Sequence, residues 1–415
     1  MNTDNKALAN EKNLTLLGLD DIEDTTLKVK RLFQRADVVA GPQRWLKDLK
    51  DFQGETLPLT GKLDLWLADI NSLSRSKKVL VLASGDPNFY GLARKLLTFV
   101  PGDRVTIIPS TTTVQKAFAR INTTWAGALV ESLHGRDAFR NLYNALYRAG
   151  GHMLPGFLAL YTDPQNTPGL IAKKLLERDQ DAWEMIVFED LDQETEKITT
   201  LSLNEAATRN FSPLNLTVLK RTREIAPVLI GAPEQAYEHE AGMITKSEVR
   251  AVALSLLELK GTETLWDIGS GSGSVSIEAA ALLSYGQIVA VEKNPERLLQ
   301  ARANRKKYAC AQVDFREGEV LDLIDSLPKP DRIFVGGGGS DLSLILEEGK
   351  RRLVTGGIIV ASVISLASLT EAAKALTGPN GPPSVVQLSA ARSQALAGSF
   401  YFKPQNQIYL VKGSF

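Results

Sequence analysis

The sequence predicts an α/β protein of two domains, each built on a mainly parallel sheet. Three observations carry this. Short apolar strand-like runs alternate with helical spacings along the chain, the pattern of strands joined by crossover helices. The alternation comes in two series, separated by a charged, proline-bearing stretch near residue 225. The second series holds a glycine-rich turn that follows a strand and opens a helix, residues 265–280, LWDIGSGSGSVSIEAA.

The first series begins at residues 14–19, LTLLGL, followed by a charged segment with helical spacing of Leu27, Leu32 and Phe33. Val38–Val39 is a short strand ending at Gly41, and residues 78–83, KVLVLA, are a buried-type strand broken by Ser84-Gly85-Asp86-Pro87. Further strands are expected at 105–108, 158–161, 184–188 and 216–219. The charged run KRTRE, 220–224, then leads to Pro227 and Pro233, which places the boundary near 225 and the domains at 1–225 and 226–415. In the second series a helix is expected over 246–259. Strands follow at 264–268, 287–291, 314–316, 332–335 and 357–361, and residues 385–392 and 407–411 close the sheet as an antiparallel edge pair.

Length and composition bound the function. A chain of 415 residues suits two domains at roughly 100–200 residues each. Lys plus Arg and Asp plus Glu number 48 each, so no basic surplus calls for nucleic acid. One cysteine, Cys310, excludes an internal disulfide and is compatible with a reducing compartment. The polar start, MNTDNKALANEK, has no signal core, and residues 357–369 are too short and serine-interrupted to span a membrane. The expectation is a soluble cytoplasmic protein without a membrane partner. Three histidines and no HExxH or CxxC spacing leave no metal site to expect.

The glycine loop carries the chemistry. Asp267, Gly269, Ser270, Gly271, Ser272 and Gly273 let the backbone approach a ligand at a helix N-terminus. A dinucleotide fingerprint, G-x-G-x-x-G, would put its third glycine at position 274, which is Ser274. Asp267 would repel a pyrophosphate and suits a ligand bearing an ammonium and a sulfonium. Glu292 ends the next strand, where an acid can accept bonds from ribose hydroxyls. Together these point to S-adenosylmethionine and a methyltransferase; a ligand-free turn is the bland alternative. Val335 is followed by four glycines, Gly336 to Gly339, which strip side chains from the cleft mouth and admit a bulky flat substrate. The Asn- or Asp-Pro-Pro-aromatic motif of exocyclic-amine methylation is absent.

Residues 242–251, GMITKSEVRA, followed by LWDIGSGSGSVSIEAA, IFVGGGG and RSQALAG (392–398), resemble the decarboxylating precorrin methyltransferases of vitamin B12 biosynthesis. The first half, with LASGDPNFYG (82–91), IPSTTTVQKAFAR (108–120), SLHGR (132–136) and YTDPQNTPGLIA (161–172), resembles the tetrapyrrole (corrin/porphyrin) methylases. The resemblance implies a tetrapyrrole methylase fold joined to a Rossmann-like class I methyltransferase domain. The implied activity is C5 and C15 methylation of precorrin-6B, or its cobalt form, with decarboxylation of the C12 acetate. It further implies one S-adenosylmethionine per domain, two per chain, and a homo-oligomer.

Cofactor contacts are then expected from Thr245, Lys293, Gly318, Glu319 and Gly336 besides the loop and Glu292, and in the first half from Gly85, Asp86, Ser110 and Thr111. Lys246, Arg250, Gly337, Gly338, Arg392, His134 and Arg136 are candidates for the substrate, the arginines through bidentate carboxylate pairs. Glu248 and His239 are candidates for proton transfer in the decarboxylation. Surface charge is the alternative for each charged residue. One departure stands out: Gly18 is followed by Leu-Asp-Asp-Ile-Glu-Asp, with no second glycine. That leaves open a chain in which only the C-terminal domain is active. An RNA or protein methyltransferase is the remaining alternative, disfavoured by the neutral charge.

Overall fold

The computed structural model describes residues 12–20, 26–49, 52–134, 138–151, 156–240, 242–337, 339–379 and 381–415. The chain divides into two compact units, Met1–Trp125 and Ala126–Phe415.

The first unit is a five-stranded parallel sheet of β1 (Leu14–Leu19), β2 (Val38–Gly41), β3 (Glu55–Pro58), β4 (Val79–Ser84) and β5 (Val105–Ile108), in the order β3-β2-β4-β1-β5. β1, β2 and β4 are almost wholly buried runs, as a parallel sheet covered on both faces requires. Trp66, Leu67 and Ile70 of the helix Leu63–Leu73 pack on one face and Trp45 on the other. The acidic segment after Gly18 lies largely at residues 21–25, outside the described residues.

The second unit carries two large sheets. β6 (Leu129–Ser132), β7 (Phe157–Tyr161), β8 (Trp183–Glu189), β9 (Lys197–Ser202) and β10 (Asn215–Arg221) lie in the order β6-β7-β10-β8-β9, antiparallel except for β6 with β7. The boundary read near residue 225 falls inside this unit, between its two sheets. The second sheet holds β11 (Thr264–Ile268), β12 (Gln287–Glu292), β13 (Val313–Glu317), β14 (Arg332–Val335), β15 (Ile358–Val363) and β16 (Ser384–Leu388). Two further strands are β17 (Ala391–Leu396) and β18 (Ser399–Pro404), and the last is β19 (Ile408–Ser414). The order β13-β12-β11-β14-β15-β19-β16 is parallel through β15, and β19 then runs antiparallel to both of its neighbours. The strand expected at 385–392 stops at Leu388. Beyond it β17 and β18 pair only with each other in a separate hairpin whose residues are nearly all exposed.

A charged seam and a shared core hold the two sheets of this unit together. Arg305 is ion-paired with Asp179, Arg178 with Asp314 and Lys306 with Asp181. Ala309 and Ala311 complete the core around Leu158, Leu219 and Ile225.

Candidate cofactor and substrate cavity

The strand β11 is fully buried, so its C-terminal end delivers the glycine loop at a fixed point. Gly269 and Ser270 donate their N–H groups to the Val291 carbonyl at the end of β12, at 2.9 and 3.1 Å. Gly269, Gly271 and Gly273 have φ of +72°, +56° and +74°, the left-handed region that costs an L-residue about 1–2 kcal/mol. A Cβ at Gly273 would stand 2.6 Å from the Phe315 ring, whereas a Cβ at Gly271 would meet nothing within 4 Å. The loop is therefore packed at its helix end and open at its middle. Glu292 locks that middle: its Oε2 accepts from Gly271 N at 2.7 Å and its Oε1 from Asn294 N at 2.9 Å.

The open side faces a cavity of about 590 Å³, within the 300–1,000 Å³ usual for small-molecule sites. The structure brings together here Thr245, Lys246, Glu248, Gly269, Ser270, Gly271, Ser272, Glu292 and Gly336. Gly337 closes on the same loop, its carbonyl 3.3 Å from where a Gly269 Cβ would stand. The buried Ser270 Oγ on this wall lacks a hydrogen-bond partner among the described residues, which a bound polar group would satisfy. Asp267 sits behind the loop rather than on the cavity wall, its Oδ2 accepting from Ser276 Oγ at 2.5 Å. Burial pushes its carboxyl up to about 6. An open glycine backbone, an acid at the end of the next strand and an unpaired buried hydroxyl fit S-adenosylmethionine.

Several expected contacts are corrected by their surroundings. Arg250 does not face the cavity. It is fully buried, its Nε donates to Glu278 Oε1 at 2.7 Å, and its other nitrogens donate to the Thr245 and Ala232 carbonyls. Arg392 is not an open carboxylate receptor: it holds Glu234 and Glu248 together and bonds Ser247 Oγ. This pairing keeps both carboxyls near 2, so Glu248 lines the cavity as an ionised group and is unsuited to donate a proton. His239 lies outside the cavity wall, its Nδ1 3.0 Å from the Tyr237 carbonyl. Lys293 and Glu319 pair with each other in solvent at 3.0 Å, outside the cavity. Gly318 donates to the Glu292 carbonyl at 3.1 Å and so supports the acid rather than lining the wall. Gly338 and Arg136 lie outside the described residues.

Sequence reasoning missed the facing wall. Ile364, Leu388 and Ile408 give it an apolar surface, with Gln405 and Asn406 beside them. Arg297 also lines the cavity, its buried Nε without a partner among the described residues. Only the fold brings these residues to the loop; nothing in their local sequence marks them.

In the first unit the ends of β1, β4 and β5 converge. A Cβ at Gly18 would stand 2.4 Å from the Gly85 carbonyl and 3.0 Å from Ser110 N. The glycine near the end of β1 is thus required by close packing. Gly85 has φ +64°, and the Thr111 carbonyl lies 3.5 Å from where its Cβ would be. Gly85, Ser110 and Thr111 therefore border one point, and Asp86 caps the adjoining turn by accepting from Asn88 N at 2.9 Å. In the second unit His134 is exposed, its Nδ1 3.0 Å from Ser132 Oγ.

Two family models match the chain in order. Residues 17–207 match the tetrapyrrole (corrin/porphyrin) methylases, and residues 235–412 match the precorrin methyltransferase domain. A precorrin-6Y C(5,15)-methyltransferase [decarboxylating] of Sinorhizobium sp is 29% identical over 407 residues, covering 94% of each chain. A probable cobalt-precorrin-6B C(15)-methyltransferase (decarboxylating) of Pyrobaculum calidifontis is 38% identical over 184 residues, which are 44% of this chain and 94% of that protein. A crystal structure titled precorrin-6y C5,15-methyltransferase, from Geobacter metallireducens, is 38% identical, covering 45% of this chain and 98% of its own, with a TM-score of 0.42. Fold, cavity and matches together define a methyltransferase assembled from two modules, of a kind that uses S-adenosylmethionine. The chain belongs to the decarboxylating precorrin methyltransferases.

Proposed function

We propose that the chain methylates C5 and C15 of a precorrin macrocycle and decarboxylates its C12 acetate, in cobalamin biosynthesis. The cavity between the Gly269–Gly273 loop and the apolar wall of Ile364, Leu388 and Ile408 carries the reading. It sets a cofactor cradle opposite a surface suited to a flat, hydrophobic ring. S-adenosylmethionine, when bound, supplies a methyl group on a sulfonium. The protein aligns that methyl with a ring carbon, and alignment alone is worth roughly 7–11 kcal/mol. Lys246 and Arg297 are the cations on this wall suited to peripheral carboxylates.

Decarboxylation breaks the bond between the acetate carbons and releases CO2; the electron pair delocalises into the conjugated ring, and the remaining side-chain carbon takes up a proton from water to become a methyl group. The conjugated macrocycle is the electron sink, and neither Glu248, held ionised by Arg392, nor His239, off the wall, is the proton donor. Methylation of C5 is assigned to the module containing Gly18, Gly85, Ser110 and Thr111, giving two cofactor sites per chain. The exposed β17–β18 hairpin, with Leu396, Phe400 and Phe402 about 60% exposed, supports self-association through that arm. Calorimetric titration with S-adenosylhomocysteine tests the cofactor assignment. Two sites per chain are expected, and Gly271→Ala should remove one; a single site in the unaltered protein contradicts the assignment to both modules.

A further inference from the structure

The second unit holds another cavity, of about 200 Å³, remote from the glycine loop. It lies in the seam between the helix Ala138–Ala149 and the strand starts of β12 and β13, and its walls include Arg140, Asn144, Arg178, Gln312 and Asp314. Two of these are unusual. Asn144 is 3% exposed and Gln312 is 4% exposed, and neither Asn144 Oδ1 nor Gln312 Oε1 has a partner among the described residues. Gln312 Nε2 donates to the Ala280 carbonyl at 3.2 Å, which fixes the amide and leaves its oxygen without a protein donor. Buried amide oxygens are ordinarily paired.

The charges are mixed. Arg140 Nη2 donates to the Thr262 carbonyl at 2.9 Å. Arg178 donates to the Val313 carbonyl at 2.8 Å and pairs with Asp314 at 3.1 Å. Both guanidiniums keep donors beyond these bonds. A bare anion would satisfy the arginines and leave both amide oxygens unpaired. A bare cation would satisfy the amide oxygens but meet two guanidiniums. A ligand carrying both groups satisfies the two amide oxygens and both arginines, Asp314 being already paired with Arg178 and with Arg316 Nε at 3.2 Å. The volume is enough for a small amino acid.

We propose that this seam cavity binds a small zwitterion of the α-amino-acid class. Its ammonium donates to Asn144 Oδ1, Gln312 Oε1 and Asp314, and its carboxylate accepts from Arg140 and Arg178. The ligand bridges the two sheets of the unit, so its binding stabilises their association.

Glycine, L-serine and L-glutamine are the probes, with acetate and methylammonium as half-ligands, titrated calorimetrically into the full chain. At least one amino acid should bind with Kd below about 1 mM, and each half-ligand at least about tenfold more weakly. Asn144→Leu should weaken the amino acid at least about tenfold and leave S-adenosylhomocysteine affinity unchanged, which certifies the fold. Where Asn144→Leu fails that check, Arg140→Met is read in its place, with the same loss expected. No binding of any of the three amino acids overturns the proposal. So does acetate binding as tightly as the amino acids, or undiminished amino-acid binding by the folded variant.

Discussion

Replacing Arg250 by Met tests whether this residue builds the cavity wall or binds substrate. Arg250 and Glu278 are both fully buried and paired at 2.7 Å. Glu278 also accepts from Tyr237 OH at 3.0 Å and from Gly231 N at 2.8 Å. Arg250 further ties down the Thr245 and Ala232 carbonyls. The pair thus staples residues 231–245, which run into the cavity rim, to the helices Ser247–Leu257 and Ser274–Leu282. Met fills similar volume but leaves a buried carboxylate without its cation and two carbonyls without donors. Breaking a buried pair from one side costs about 3–5 kcal/mol. Denaturant unfolding of the second unit should show that loss as a lower midpoint at unchanged slope. Arg250→Met with Glu278→Leu should recover at least about 1 kcal/mol of it, because the stranded charge is gone. A single variant within about 0.5 kcal/mol of the parent, with its defect confined to the KM for the tetrapyrrole, would refute the staple and restore Arg250 as a substrate contact.

The loop glycines should separate. Gly273→Ala, which drives a Cβ into Phe315, should lower both stability and cofactor affinity. Gly271→Ala should cost only the left-handed strain of about 1–2 kcal/mol in stability while removing the cofactor; equal melts for the two variants would contradict the packing described. Asp267 gives a pH signature. Its folded carboxyl titrates near 6, raised by burial from 3.8, so the stability it contributes is present below about 4 and lost as pH rises toward 6. Asp267→Asn cannot lose it, and the variant should gain on the parent by about 2 kcal/mol between pH 4 and 7; a pH-independent difference contradicts the assignment. Truncating Phe400 and Phe402 to Ala should lower the light-scattering mass toward one chain. A parent of one-chain mass would remove the arm from consideration.

The sequence made the parallel strands legible because they are continuous apolar runs bounded by glycine or charge, as in β4, β11 and β15. β9 was missed because KITTLS is mostly exposed and carries no buried face. The strand expected at 385–392 was drawn too long: its pairing with β19 ends at Leu388, and Ala391 and Arg392 belong to the β17–β18 hairpin, whose exposed residues carry no buried face to mark it. At the site, the glycine loop and Glu292 were legible because their chemistry lies in adjacent elements with fixed spacing. Arg250 and Arg392 were not. Their partners Glu278, Glu234 and Glu248 are 28 to 158 positions away, and only the fold decides whether a cation meets substrate or a buried carboxylate.

Product analysis bears most directly on the central claim. The full chain is incubated with precorrin-6B and S-adenosylmethionine, and the tetrapyrrole is weighed by mass spectrometry. The expected product has gained two methyl groups and lost one CO2. A tetrapyrrole of unchanged mass would contradict it, and a product with one added methyl and CO2 loss would confine activity to the module carrying Gly269–Gly273.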